Sequence, residues 1–134
     1  MNYKNIYEKI TTTLVTDGYI IIEDALEEEI SLELLAFAMS QNNFKQAGIS
    51  NTNRLHLDLK KRRDSILWLD EDYSIQSTYL SFMNGLKEYL NRELYLGLSY
   101  YESHFSIYKE GDFYEKHIDA FKHSKNRVVT TVYY

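Results

Sequence analysis

Apolar residues recur along the first third of the chain with the period of a helix. Tyr3, Ile6, Tyr7, Ile10 and Leu14 predict an amphipathic helix over residues 3–16, broken by Gly18. Tyr19-Ile20-Ile21-Ile22 then reads as a short buried strand. Asp24-Ala25-Leu26-Glu27 has the form of a capping box. The acids from Glu27 to Glu29 suit the positive end of a second helix, with Ile30, Leu34, Leu35, Ala38 and Met39 as its apolar face and an end near Ser40. Residues 41–64 are polar and predict a long, mobile loop with room for a strand near 54–59. After the apolar Ile66-Leu67-Trp68-Leu69, the acids Asp70, Glu71 and Asp72 precede a strong helical pattern: Ile75, Tyr79, Phe82, Met83, Leu86 and Leu90.

From Leu94 the period falls to two. Leu96, Leu98, Tyr100, Glu102, His104, Ser106 and Tyr108 share one face of an extended segment, and Tyr101, Ser103, Phe105 and Ile107 share the other. Lys109-Glu110-Gly111-Asp112 predicts a turn. Phe113 to Asp119 predicts another strand, residues 120–126 a polar connection, and Arg127 to Tyr134 a β-rich end. Helices followed by antiparallel-looking strands predict an α+β fold or a helix-supported β-barrel. The 134 residues suit one domain, with helical support over about 1–93 and strands from about 94 to 134.

Composition narrows the function more than the fold. Cysteine is absent, which removes disulfide frameworks, thiolate zinc sites and Cys nucleophiles, and fits a reducing cytoplasm. A net charge of −5 argues against binding nucleic acid through its phosphates. Lys60-Lys61-Arg62-Arg63 is the one basic cluster and reads as a solvated loop before it reads as a binding patch. No signal peptide or membrane-length apolar run is visible, so the expectation is a soluble, cytoplasmic protein with neither nucleic-acid nor membrane partners. The 13 Tyr crowd toward the C-terminal half, where strand packing and pocket lining both suit them.

His117-Ile118-Asp119 carries the candidate chemistry. On a strand, positions i and i+2 point to one face roughly 6.5 to 7 Å apart, close enough to converge on one cation. This is part of a two-His, one-carboxylate site, which leaves coordination positions open on iron(II). With four His, a chance His-x-Asp arises roughly once in four such chains. His56-Leu57-Asp58 is in fact a second one. Taken alone, either pair reads as a surface pair, and the Tyr residues as cross-strand packing.

Context separates the two. Tyr108-Lys109-Glu110-Gly111-Asp112-Phe113-Tyr114-Glu115-Lys116 leads into His117, and Asn126-Arg127-Val128-Val129-Thr130-Thr131-Val132-Tyr133-Tyr134 follows. This assembly resembles the prolyl-4-hydroxylase-like branch of the iron(II)- and 2-oxoglutarate-dependent oxygenases, in particular the oxygen-sensing type. The match is most specific over residues 98–134. Ala47-Gly48-Ile49 and Arg63-Asp64-Ser65-Ile66-Leu67-Trp68-Leu69 support it upstream. His56-Leu57-Asp58 matches no ligand position. The resemblance implies a double-stranded β-helix, a jelly-roll or cupin-like barrel, behind N-terminal supporting helices. It implies iron(II) on His117 and Asp119, with 2-oxoglutarate as co-substrate and ascorbate as a candidate addition. Tyr108, Thr130 and Tyr134 would line the 2-oxoglutarate pocket. The implied activity is O₂-dependent hydroxylation of a protein or peptide, with a prolyl residue as the best substrate reading. His104 shares the parity of Tyr108 and reads as pocket-lining, and His123 as solvent-exposed.

The family pattern also has a second His several dozen residues after the Asp, then an Arg or Lys that pairs with the 2-oxoglutarate tail. This sequence stops 15 residues after Asp119, before either position. The expectation is a fragment of a longer protein with C-terminal strands missing, weak metal binding, and an apolar edge from Val128 to Tyr134. Two other readings remain: a catalytically inactive barrel used as a binding scaffold, and an α+β interaction domain in which both His-x-Asp pairs are accidents. The oligomeric state is left open.

Overall fold

The computed structural model describes residues 2–51, 54–56, 61–118 and 127–134, with backbone alone for 49–51 and 54–56. Its contacts divide the chain into two compact units, residues 1–41 with 69–103, and residues 42–68 with 104–134.

The first unit holds the helices α1 (Lys4–Asp17), α2 (Glu28–Ser40) and α3 (Ser74–Leu94). Helix α1 ends as the sequence predicts. Gly18 takes the left-handed conformation at φ +78°, and its N–H donates to the Leu14 carbonyl at 3.1 Å. Aromatic rings join α1 to α3. Tyr3 meets Phe82 edge-on at 4.8 Å, and the Tyr7 hydroxyl donates to the Phe82 carbonyl at 2.8 Å. Gly85 of α3 leaves the space that Tyr7 fills, because a Cβ there would collide with the Tyr7 hydroxyl. Leu26, Ile30 and Leu34 are buried, as are Leu80, Phe82, Leu86 and Leu90. Each buried aliphatic side chain of this kind stabilises by about 1.5–3 kcal/mol.

Side-chain amides secure the backbone around α3. Buried Gln76 accepts the Asp70 N–H on its Oε1 at 2.6 Å. Asn91 uses both ends of its amide on Leu98, accepting the N–H at 2.7 Å and donating to the carbonyl at 2.8 Å. Leu98 lies in no strand, so this one side chain stands in for a ladder partner.

Two local expectations fail here. Residues 19–22 form no strand, and Tyr19 and Ile21 are 69% and 83% exposed. Apolar character without a pairing partner does not make a strand. The capping box is not formed either. Asp24 sits at φ +53°, and Glu27 is the N-cap, without a side-chain cap. Glu28 and Glu29 do occupy the first turn, where the macrodipole favours them. The acids at 70–72 lie ahead of α3, whose N-cap is Tyr73.

The second unit is built on strands. The polar segment expected as a long loop contains β1 (Lys45–Gln46), β2 (Ile49–Asn51) and β3 (Arg54–His56). With β4 (Ser65–Trp68) and β5 (His104–Ile107), β1 forms an antiparallel sheet of order β1-β4-β5. Strands β2 and β3 pair separately, Ile49 opposite His56. The long period-two run narrows to β5, because α3 continues through Leu94 and Tyr95 closes it at φ +54°. Residues 127–134 are assigned no strand. Over 113–118 only Tyr114 bridges, opposite Arg62. The fold is thus α+β with a small antiparallel sheet; the described strands do not close a double-stranded β-helix. No described helix is long and apolar enough to cross a membrane.

Candidate functional site

The site grows from the register of β4 and β5. Ser65 pairs with Ile107, so the next step along both chains sets Asp64 opposite Tyr108. The turn at 109–112 then sends the chain back. Gly111 takes φ +86°, the Asp112 N–H donates to the Lys109 carbonyl at 2.8 Å, and the Asp112 carboxylate accepts the Lys109 N–H at 2.9 Å. The returning segment runs beside residues 61–63. Arg63 N–H donates to the Phe113 carbonyl and Glu115 N–H to the Lys61 carbonyl, each at 2.8 Å. Arg62 and Tyr114 are thereby set side by side.

Asp64 is fully buried, and Arg62 meets it with two parallel bonds, Nε to Oδ1 at 2.6 Å and Nη2 to Oδ2 at 2.9 Å. This planar pairing is the strong form of a charged hydrogen bond. Burial opposes the Arg62 charge, but the bonds and charge of Asp64 outweigh it and hold the guanidinium pKa above its usual value. The expected solvated basic cluster is therefore corrected in part. Lys61 and Arg63 are exposed, whereas Arg62 turns inward because Asp64, on the same face two residues on, takes its charge.

The Arg62 guanidinium lies over the Tyr114 ring, 4.2 Å from its centre. Tyr114 in turn stacks on the His117 imidazole at 3.7 Å with 13° between the planes. At such distances the cation and the imidazole cannot share one ring face without colliding, so Tyr114 lies between them. His117 itself is exposed, and its Nδ1 lies 2.7 Å from the Glu115 carbonyl. A carbonyl only accepts, so Nδ1 carries the proton and Nε2 carries the lone pair of the neutral ring. Metal-binding His residues commonly show this arrangement. The donor chemistry of His117 thus fits a metal ligand. Asp119, its expected co-ligand, lies outside the described residues, as do Asp58 and His123. Among the described residues no group of three His, Asp or Glu gathers as a metal site would require.

The other expected residues divide. Tyr108 is half exposed at the end of β5; burial, then the charge of Asp64, push its phenol pKa up, so it is a protonated donor at neutral pH. His104 is half-buried, edge-on to Trp68 at 5.2 Å. Its pKa is pushed down by burial and further by Arg62 and Arg127, against the Phe105 carbonyl and Asp64. Tyr108 and His104 therefore both stand in the field of the Arg62–Asp64 pair. Thr130 and Tyr134 are exposed, and the residues sharing their parity, Val128 and Val132, are 59% and 69% exposed. None of the expected site residues lines the open cleft of about 630 Å³ between α1 and α3, where Tyr3, Tyr7 and Arg92 stand. The sequence did not single out the Arg62–Asp64 pair; opposite charges two apart at the mouth of an apolar strand were the available signal.

The fold is prolyl-4-hydroxylase-like. The chain is similar to the crystal structure of a Pseudomonas putida prolyl-4-hydroxylase, with a TM-score of 0.76 and 27% sequence identity over 85% of this chain and 61% of that one. It therefore spans less than two thirds of that protein. No family model matches the chain, and no curated protein matches it.

Proposed function

We propose that this chain forms part of an iron(II)- and 2-oxoglutarate-dependent dioxygenase that hydroxylates a prolyl residue in a protein. The likeness to the Pseudomonas putida prolyl-4-hydroxylase is the observation that carries this reading. The tautomer of His117 supports it. His117, through Nε2, and Asp119 would hold the iron. When bound, iron(II) supplies oxidation of an aliphatic C–H bond by O₂, coupled to decarboxylation of 2-oxoglutarate. The protein's own part is orientation and hydrogen bonding. The Tyr108 phenol, held protonated, would donate to a carboxylate of the co-substrate, with Thr130 and Tyr134 as further pocket residues. A cysteine-free chain suits the cytoplasm.

The test is an assay of the natural gene product with iron(II), ascorbate, 2-oxoglutarate and a proline-containing peptide. Succinate should form only with iron present, and the peptide should gain one oxygen. His117→Ala should abolish both. A folded protein that makes no succinate under these conditions would favour the inactive-scaffold reading.

A further inference from the structure

Asp64, Arg62, Tyr114 and His117 form a column whose parts come from two separate stretches of the second unit. Asp64 stands at the mouth of β4, Arg62 two residues before it, and Tyr114 and His117 on the segment returning from the 109–112 turn. Each neighbour fixes the next. Asp64 is inaccessible to solvent and takes the Nε–Nη2 edge of the guanidinium, while Nη1 donates to the Gly48 carbonyl at 3.5 Å, so the cation meets Tyr114 through a flat face. One face covers Tyr114, and the other face of that ring covers the imidazole. The 3.7 Å stack fixes the plane of His117, and the Glu115 carbonyl fixes its rotation within that plane. An exposed His on an irregular segment would otherwise sample several rotamers. A ligand has to be held in its productive geometry by neighbours that are themselves held.

We propose that Arg62, locked by Asp64, and Tyr114 are positioning residues that set the ring plane and the Nδ1–H tautomer of His117, so that Nε2 is presented to a divalent cation. The proposal rests on the reading of His117 as a metal ligand, and adds the device that orients it. Tyr114 acts through its ring face and not through its hydroxyl. Arg62 acts through its flat guanidinium and not through charge alone, which separates it from Lys.

The test reads the ring itself and then its grip on metal. Proton–nitrogen NMR of the imidazoles, at a pH where the ring is neutral, reports the His117 tautomer, and ring-current shifts report the stack. Cobalt(II) titration followed by paramagnetic broadening of the His117 signals gives the affinity. Tyr114→Leu should remove the upfield shift, mix the tautomers and weaken cobalt binding about tenfold, the lower end of what losing a partner behind a metal ligand does. Tyr114→Phe should keep all three. Arg62→Lys, which retains the ion pair with Asp64 and so the fold, should move the same signals in the direction of Tyr114→Leu. Unchanged His117 signals in Tyr114→Leu would overturn the proposal. So would equal losses in Tyr114→Phe, or a lost stack with unaltered cobalt affinity. If the unmodified protein binds no cobalt at His117, the metal-ligand reading itself fails, an outcome separable from failure of the stack because the ring signals are read before metal is added.

Discussion

Asp64 and His104 are the side chains whose surroundings make the sharpest demands. Replacing Asp64 by Ala would leave the Arg62 guanidinium, only 12% exposed, without its partner. Breaking a buried pair on one side typically costs about 3–5 kcal/mol, so D64A should lower the denaturation midpoint strongly, as chemical denaturation will measure. His104 gives a pH effect of definite sign. Its folded pKa lies below the unfolded value of 6.5, with burial as the main cause. The native state then resists protonation more than the unfolded chain does. The His104 contribution is complete above pH 6.5 and is lost as the pH falls from there toward the folded pKa. Arg62 and Arg127 strengthen this effect, while Asp64 and the Phe105 carbonyl oppose it. Thermal melts of the unmodified protein and of His104→Gln should therefore diverge between neutral and mildly acidic pH, the variant losing less stability on acidification. If the two profiles run parallel, His104 is not the group responsible.

Helix α3 carries the core of its unit, and Gly85 tests how tightly α1 is fitted to it. Intrinsic propensity favours Ala over Gly inside a helix by about 1 kcal/mol. Here the Cβ would displace Tyr7 from its bond to the Phe82 carbonyl and from its ring contacts with Phe82 and Tyr89. Overpacking of this kind costs about 1–3 kcal/mol, so Gly85→Ala should be net destabilising by about 1 kcal/mol. Tyr7→Phe, which removes the colliding atom, should recover part of that loss in the double variant. Thermal denaturation of the four proteins closes the cycle. The helices were legible in the sequence because their apolar spacing is long and regular: α1, α2 and α3 lie within a few residues of the expected bounds. The strands were less so. Tyr19–Ile22 and 127–134 look β-rich by composition, but a strand exists only through its partner, and partners are chosen by tertiary structure. Conversely β1 and β2 were hidden inside a polar stretch whose side chains gave no alternation, and only β3 fell where a strand was expected, near 54–59.

The chain is similar to the Pseudomonas putida enzyme over 85% of its length, and the candidate site lies in its strand-built unit. His117 stood out as a candidate because the motif around it is specific, whereas Arg62 and Asp64 were masked by the neighbouring lysines, which gave the stretch the look of a solvated loop. Metal binding should register in the stability of the folded protein as well as in catalysis. A cation present at a hundred times its Kd stabilises by about 2.7 kcal/mol if it binds only the native state. Cobalt(II) should therefore raise the melting temperature of the unmodified chain and leave His117→Ala unmoved; equal shifts in both would place the ion elsewhere. One small feature bears on how the protein ages. The Asn91 amide holds Leu98 through a donor and an acceptor at once. Hydrolysis of that amide to an acid keeps the acceptor but sets a negative charge against the Leu98 carbonyl, at the end of α3 where the helix dipole is also negative. A stored sample that has deamidated there would be expected to loosen first in the stretch just after α3, and limited proteolysis followed by mass spectrometry would find the new cuts between Tyr95 and Leu98.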